Sequence, residues 1–184
     1  MAAALELFAS RGYAATTIED VRDASGASTG SIYHHFGSKL SLAAAIFVEG
    51  LAAYQKEVLD LLQRHPEAEA GVRALVRHYL DWMCANQSLA RFLLASREPD
   101  LRGATDEALQ ELNARFYEET RAWREKQFAA GKLRELPPDV YRSVVLGPAE
   151  AYARRWLSGR AETPLAQAAD MLAEAAWRAV RATP

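Results

Sequence analysis

The side chains best placed to do chemistry in this sequence stand close together, between Thr17 and Lys39. Ser28, Thr29, Gly30 and Ser31 make one small polar turn, with Tyr33 and His34 just beyond it. At the start of a helix such a turn offers hydroxyls and free backbone N–H groups, which hydrogen-bond to base edges or to a phosphate. Two other pairs invite different chemistry and do not sustain it. His34 and His35 are neighbours, so on a helix they point about 100° apart and cannot share one ion, and no third ligand stands at helical spacing. His78 and Cys84 fall on different faces of one predicted helix with no glycine-rich elbow nearby, so Cys84 reads as a buried structural thiol. Neither a metal nor a cofactor is expected.

The elements that must position these residues are helices throughout. Ala, Leu, Glu and Arg dominate, and there is neither a hairpin dipeptide between alternating runs nor a cluster of β-branched residues. A first helix carries Leu5, Phe8 and Ala9 on one face, runs to Arg11 and stops at Gly12. Thr17 opens a short second helix with Asp20 as its capping-box partner and Ile18, Val21 and Ala24 inward. Gly26 follows it; Ser28 caps a third helix with Ile32 and Phe36 inward; Gly37 ends that one, and Ser38 caps a long fourth reaching Pro66. A fifth helix is expected over about 67–86 and a sixth over about 88–96. Glu98 to Gly103 reads as a loop, and a seventh helix as Thr105 to Ala130. The eighth begins near Pro138 and should kink at Gly147-Pro148. For the ninth, Thr163 is the N-cap and Pro164 the first helical residue.

A helix, a tight glycine-containing turn (Ala24-Ser25-Gly26-Ala27) and a second helix with a small polar first turn form a helix-turn-helix pattern. Its second helix suits end-on entry into the major groove. The string SGASTGSIYHHFGSK from Ser25 to Lys39, preceded by LELFASRGYAATTIEDV from Leu5 to Val21, resembles the DNA-binding domain of the tetracycline-repressor (TetR) family over nearly all of residues 4–48. The rest of the chain resembles that family in helix count and order alone. The resemblance implies DNA contacts for Thr17, Ser28, Thr29, Gly30, Ser31, Tyr33, His34 and Lys39. Thr17 would touch phosphate, and Thr29, Gly30 and Ser31 would face base edges, with Gly30 permitting close approach. Tyr33 and His34 would reach bases or phosphate, and Lys39 would grip the backbone. Ile32 and Phe36 would be core, and His35 would pack at the helix end. Members of the family usually carry a basic extension ahead of the first helix; almost nothing precedes Leu5 here, so either that arm lies outside this numbering or the protein does without it.

Charge runs against this reading. Residues 1–50 hold three basic side chains (Arg11, Arg22, Lys39) against five acidic ones (Glu6, Glu19, Asp20, Asp23, Glu49), and the whole chain carries a formal charge of −2. Nucleic-acid-binding domains usually show a basic surface, because phosphate neutralisation supplies much of their affinity. The motif, not the composition, carries the DNA assignment. The most apolar run, Leu42 to Val48, is far shorter than the roughly 20 residues a bilayer needs, and the N-terminus does not read as a signal peptide. With one cysteine the chain forms no internal disulfide, which fits a reducing cytoplasm.

The expected architecture is therefore all-α: residues 1–47 a three-helix helix-turn-helix domain, residues 48–184 a helical bundle that dimerises and binds a ligand, about nine helices in all. If the resemblance extends to the bundle, some of Trp82, Met83, Phe92, Phe116, Tyr117, Trp123, Tyr152 and Trp156 line an apolar ligand cavity; each is about as readily plain core. The last two helices would form a four-helix seam with a second copy through Leu146, Ala149, Ala153, Leu157, Leu165, Ala168, Leu172, Ala176 and Val180, or pack only within the protomer. The function these expectations describe is a ligand-responsive regulator, by family logic a repressor released from a palindromic operator by a small hydrophobic or aromatic molecule. Its partners would be double-stranded DNA, a second copy of the chain and an unidentified effector, with no membrane. An enzyme is disfavoured because no convergent set of titratable groups is visible. A DNA-binding protein whose larger domain only dimerises stays open.

Overall fold

The computed structural model describes residues 1–95 and 99–182. The helices are α1 (Ala2–Arg11), α2 (Ile18–Ser25), α3 (Thr29–Phe36), α4 (Lys39–Arg64), α5 (Ala68–Ala85), α6 (Gln87–Ala95), α7 (Pro99–Ala129), α8 (Pro138–Leu157) and α9 (Leu165–Val180). The only extended pairing among the described residues is one antiparallel bridge, Leu133 with Arg181. None of these helices is by itself long and apolar enough to cross a membrane.

The local signals read from the sequence operate as written at the N-terminus. Thr17 Oγ1 accepts from the Asp20 N–H at 3.1 Å, and the Thr17 N–H donates to Asp20 Oδ2 at 2.8 Å, closing the capping box of α2. Ser28 Oγ accepts from the Ser31 N–H at 3.1 Å, and Ser38 Oγ from the Ser41 N–H at 3.0 Å. Gly26 (φ 70°) and Gly37 (φ 72°) end α2 and α3 in a region of positive φ that a Cβ disfavours. At the second of these turns α3 and α4 bend by 60°.

Further along, two expectations need correction. The segment from Pro99 to Gly103 is not a loop: α7 starts at Pro99. Proline has no N–H to lose in a first turn, so it opens a helix there as readily as it breaks one elsewhere. Glu98, the first residue of that expected loop, and Ser96, the expected end of α6, lie outside the described residues. At α9 the N-cap is Pro164, not Thr163, and no side chain caps it. The Thr163 carbonyl instead accepts from Tyr152 Oη. The helix α8 runs through Pro148, which leaves the Val144 carbonyl without its usual helical donor.

The chain forms two compact units, Met1–Ala53 with Asn86–Asn113, and Tyr54–Ala85 with Ala114–Pro184. The first therefore extends past residue 47 and recruits α6 and the start of α7. Its core joins Ala4, Phe8, Ile18, Val21, Ile32, Leu42 and Ile46 to Phe92 and Leu101. Phe92, which is 1% exposed, stacks on Phe8 at 5.6 Å and meets Phe47 edge-on at 6.1 Å. Three short helices have too little apolar surface to close a core alone; the ring from α6 completes it.

In the second unit α5 packs against α8 and α9, and α8 against α9. Ala149 and Ala153 of α8 and Ala168, Ala169, Ala173 and Ala176 of α9 are buried, small side chains that let helices approach closely. Arg73 pairs with Glu69 and Glu174, and Arg77 with Asp170 at 2.8 Å, tying α5 to α9. Trp123 Nε1 donates to the His65 carbonyl at 3.3 Å, its ring lying against Gly71.

Candidate nucleic-acid interface

The residues expected to touch DNA occupy one exposed region of the first unit. Ser28, Gly30, Ser31, Tyr33 and His34 are exposed, and Thr29 is half-buried. They lie on the N-terminal turn and outer side of α3, whose inner side is held by Ile32 in the core and Phe36 packed against it. Tyr33 is 47% exposed, a large ring standing in solvent where burial would ordinarily be favoured. The exposed Thr17 sits at the N-terminus of α2. His35 is exposed as well and does not pack into the helix end as expected; its ring lies 5.5 Å from that of His34 and 6.4 Å from Phe36.

Gly30 is the most informative of these positions. A Cβ built on it would meet only Ser28 Oγ, at 3.9 Å, so nothing within the chain requires glycine there. Glycine inside a helix costs about 0.5–1 kcal/mol relative to alanine. A helix that omits the side chain where its own fold has room for one presents a bare backbone to something outside it.

Lys39 is turned inward. Its Nζ donates to the carbonyls of Tyr13 at 3.0 Å and Thr16 at 2.8 Å and sits 4.4 Å above the Tyr13 ring. It therefore pins the α1–α2 turn to the start of α4, with one N–H left over for any other acceptor. The other cations of residues 1–50 are engaged too. Arg11 Nη1 lies 3.3 Å from Asp20 Oδ1, and Arg22 holds Asp23 at 2.7 Å. The backbone N–H of Thr17, then its hydroxyl, and more weakly Arg11 hold the Asp20 carboxyl below the ordinary carboxylate range. The sequence assigns Lys39 to the DNA backbone and does not reveal Tyr13 and Thr16 as its partners. Thr16, at 0% exposure, is buried beside the capping residue, a fact that no local pattern announces.

The expected cavity residues are divided between the two units. Phe92 belongs to the core of the first unit, as described above. Trp82 and Met83 are buried core of the second, with Trp82 meeting Tyr54 edge-on at 5.0 Å. Tyr117 is 46% exposed; Phe116, Trp123, Tyr152 and Trp156 are half-buried, with Trp123 and Tyr152 each hydrogen-bonded to a loop carbonyl. An open cleft on the second unit is lined instead by Leu61, His65, Ala74, Arg77, His78 and Asp81, among others. There burial holds the His78 imidazole below its usual range despite Glu57 nearby. Cys84, expected buried, is half-buried.

The expected seam also divides. Ala149, Ala153, Ala168, Ala176 and Val180 are buried within the protomer and cannot meet a second copy, whereas Leu146, Leu157, Leu165 and Leu172 are half-buried. The expected stripes thus mix inward-facing alanines and Val180 with leucines that keep part of their surface. The outer faces carry their own apolar residues: Val140 at 40% exposure with Val144, Pro148 and Ala151 on α8, and Met171 at 62% with Ala175 on α9.

Three short capped helices that present a polar, exposed helix start, joined to an all-helical bundle, define a helix-turn-helix protein. Residues 1–46 match the family model described as bacterial regulatory proteins, tetR family. The HTH-type transcriptional repressor KstR2 of Rhodococcus jostii is 44% identical over 59 residues, 30% of this chain and 29% of the relative. That of Mycobacterium tuberculosis is 38% identical over 60 residues, covering 31% and 30%. The chain thus aligns with less than a third of the length of the curated relatives it matches. Solved structures extend the likeness in fold to the whole chain. A TetR-family regulator from Marinobacter aquaeolei superposes with a TM-score of 0.75 over 99% of this chain and 93% of its own, at 18% identity. The transcriptional regulator FadR of Bacillus subtilis, solved with stearoyl-CoA, gives 0.79 over 95% and 94%, at 17% identity. At these identities the likeness establishes the fold.

Proposed function

We propose that this chain is a ligand-responsive DNA-binding transcriptional regulator, a repressor released from a palindromic operator by a small hydrophobic or aromatic molecule. The observation that carries the DNA half of this reading is the bare, exposed first turn of α3, with Gly30 unexplained by any contact inside the protein. The chain acts by binding and not by catalysis. Thr29, Gly30 and Ser31 meet base edges; Tyr33 and His34 reach bases or phosphate beside them; Thr17 and Ser28 touch phosphate at the two helix starts, where free N–H groups and the dipole favour an anion. The curated relatives are repressors, which supports the direction of control. A palindrome calls for two copies with recognition helices about 34–36 Å apart. The second copy docks on the outer faces of α8 and α9 through Val140, Val144, Pro148, Ala151, Met171 and Ala175, with the half-buried leucines flanking them. The effector acts by population shift: it binds one arrangement of the bundle better than another, and α4, a single helix shared by both units, carries the difference to α3. That one neighbour was solved with stearoyl-CoA supports an effector with a long apolar part.

The test is binding of the full-length protein to the DNA upstream of its own gene, across a salt series, beside Tyr33→Ala. Tight binding to a palindromic site, lost by at least tenfold in the variant, is expected. Weak binding, equal in both proteins and blind to sequence, would refute the reading.

A further inference from the structure

A cleft of about 400 Å3 opens in the second unit between the end of α7 and the start of α8, walled by Phe128, Leu136, Pro137 and Pro138. Its polar wall is Arg124, a residue only 8% exposed. Aromatic rings cover this guanidinium: its central carbon lies 5.5 Å from the Tyr141 ring centroid and 6.0 Å from that of Phe128. The Nε is buried without an acceptor, and among the described residues no carboxylate pairs with the side chain. Glu125, also on the cleft wall, is engaged with Arg121 at 3.0 Å, and Glu135 stands exposed at the rim. The Tyr141 hydroxyl is likewise buried with no partner, and burial pushes that phenol well above its usual range.

A guanidinium taken out of water is costly unless it finds a counter-charge, and ring faces offset only part of that cost. Rings over its faces leave the in-plane N–H donors free, and a carboxylate accepts two of them side by side. Phe128, Leu136, Pro137 and Pro138 would cover a hydrocarbon body. Glu125 and Glu135 disfavour a dianion. We propose that this cleft binds a small monoanionic carboxylate with an apolar body, held through its carboxylate by Arg124. The site is separate from the DNA-facing turn, and the proposal does not depend on the regulatory reading.

Calorimetric titration of the full chain with benzoate tests it, with inorganic phosphate as the second probe and three variants beside wild type. Saturable binding at one benzoate per chain is expected, with a dissociation constant of about 0.1–1 mM, the range a ligand of roughly nine heavy atoms sustains. Arg124→Gln should weaken it at least tenfold, and Glu135→Gln should tighten it. Leu136→Trp, at a half-buried position between α7 and α8, should block the cleft and also weaken binding at least tenfold. No saturation by about 10 mM in wild type, phosphate binding as tightly as benzoate, or affinity unmoved by Leu136→Trp would overturn the proposal.

Discussion

Replacing Lys39 by alanine separates two jobs that a cation at this position could hold, gripping a phosphate or holding the α1–α2 turn. Its Nζ donates to Tyr13 and Thr16 and lies over the Tyr13 ring. Once the ammonium is gone, the Tyr13 carbonyl still accepts from the Thr16 N–H at 3.3 Å. Thr16 has no such reserve: the residue is fully buried, and its carbonyl would lose its charged donor. An unsatisfied buried acceptor costs about 1–3 kcal/mol, and loss of the cation–ring contact about 0.5–1 kcal/mol. Removing a cation from the first turn of a helix returns about 0.5 kcal/mol, because the helix dipole opposes it. The balance is a loss of about 2 kcal/mol, or roughly 6 °C in melting temperature at about 3 °C per kcal/mol for a chain of this length. Thermal unfolding followed by circular dichroism reads that number. Operator binding across a salt series reads the other job, since each neutralised phosphate contributes about 0.9 to the slope of log affinity against log salt. If Lys39 is a scaffold, affinity falls, the melting temperature falls and the slope stays put. A variant that melts like wild type and binds with a slope shallower by about 0.9 would refute the reasoning and return Lys39 to the DNA.

Other consequences are equally direct. Gly30→Ala fills space that the chain leaves open, so it should raise stability by up to about 1 kcal/mol while weakening operator binding at least tenfold; melting and gel-shift titration check the opposed signs. Thr17→Ala removes one side of the capping box and should cost about 1 kcal/mol in denaturant unfolding. Gly71→Ala would place its Cβ 2.3 Å from Trp123 Cζ2 and 3.0 Å from the His65 carbonyl. Overpacking of this kind costs about 1–3 kcal/mol and should appear as a lower melting temperature with altered Trp fluorescence. The Asp20 carboxyl is held below the ordinary aspartate value of about 3.9 in the folded protein. Its contribution is therefore complete above that pH and lost as pH falls through the lower folded value. Melting curves taken from pH 5 down to about 2.5 should fall more steeply for wild type than for Asp20→Asn.

The first 40 residues were legible because their signals are local. A threonine three residues before an aspartate, a serine before a small polar turn and a glycine after each short helix act over one helical turn, and each does in the structure what its position implies. What the sequence hid lies in contacts between distant segments. Phe92 stands 84 positions from Phe8, and no periodicity within α6 announces that its ring closes the N-terminal core. The alanines of α8 and α9 form clear stripes, but a stripe says only that a face is buried. It does not say whether α5 of the same chain or a second copy covers it, and here α5 and the α8–α9 contact account for the inner set.

The charge problem raised by the sequence has a structural side that sharpens it. All three cations of residues 1–50 are engaged inside the chain, Arg11 with Asp20, Arg22 with Asp23 and Lys39 with two carbonyls. The two arginine pairs are exposed, and exposed pairs are worth about 0–1 kcal/mol, so a phosphate could compete for either arginine. Lys39, half-buried and bonded to the Thr16 carbonyl, is the costlier to recruit. Affinity must then rest more on the hydroxyls and N–H groups at the starts of α2 and α3 than on neutralised phosphates. Hydrogen bonds from neutral groups release few counterions, so the chain should bind operator with a shallow salt slope, about 2 per protomer if only the arginines contribute. A slope of about 4 or more per protomer would show that cations outside residues 1–50 reach the DNA, and that the motif identifies the interface without supplying most of its affinity.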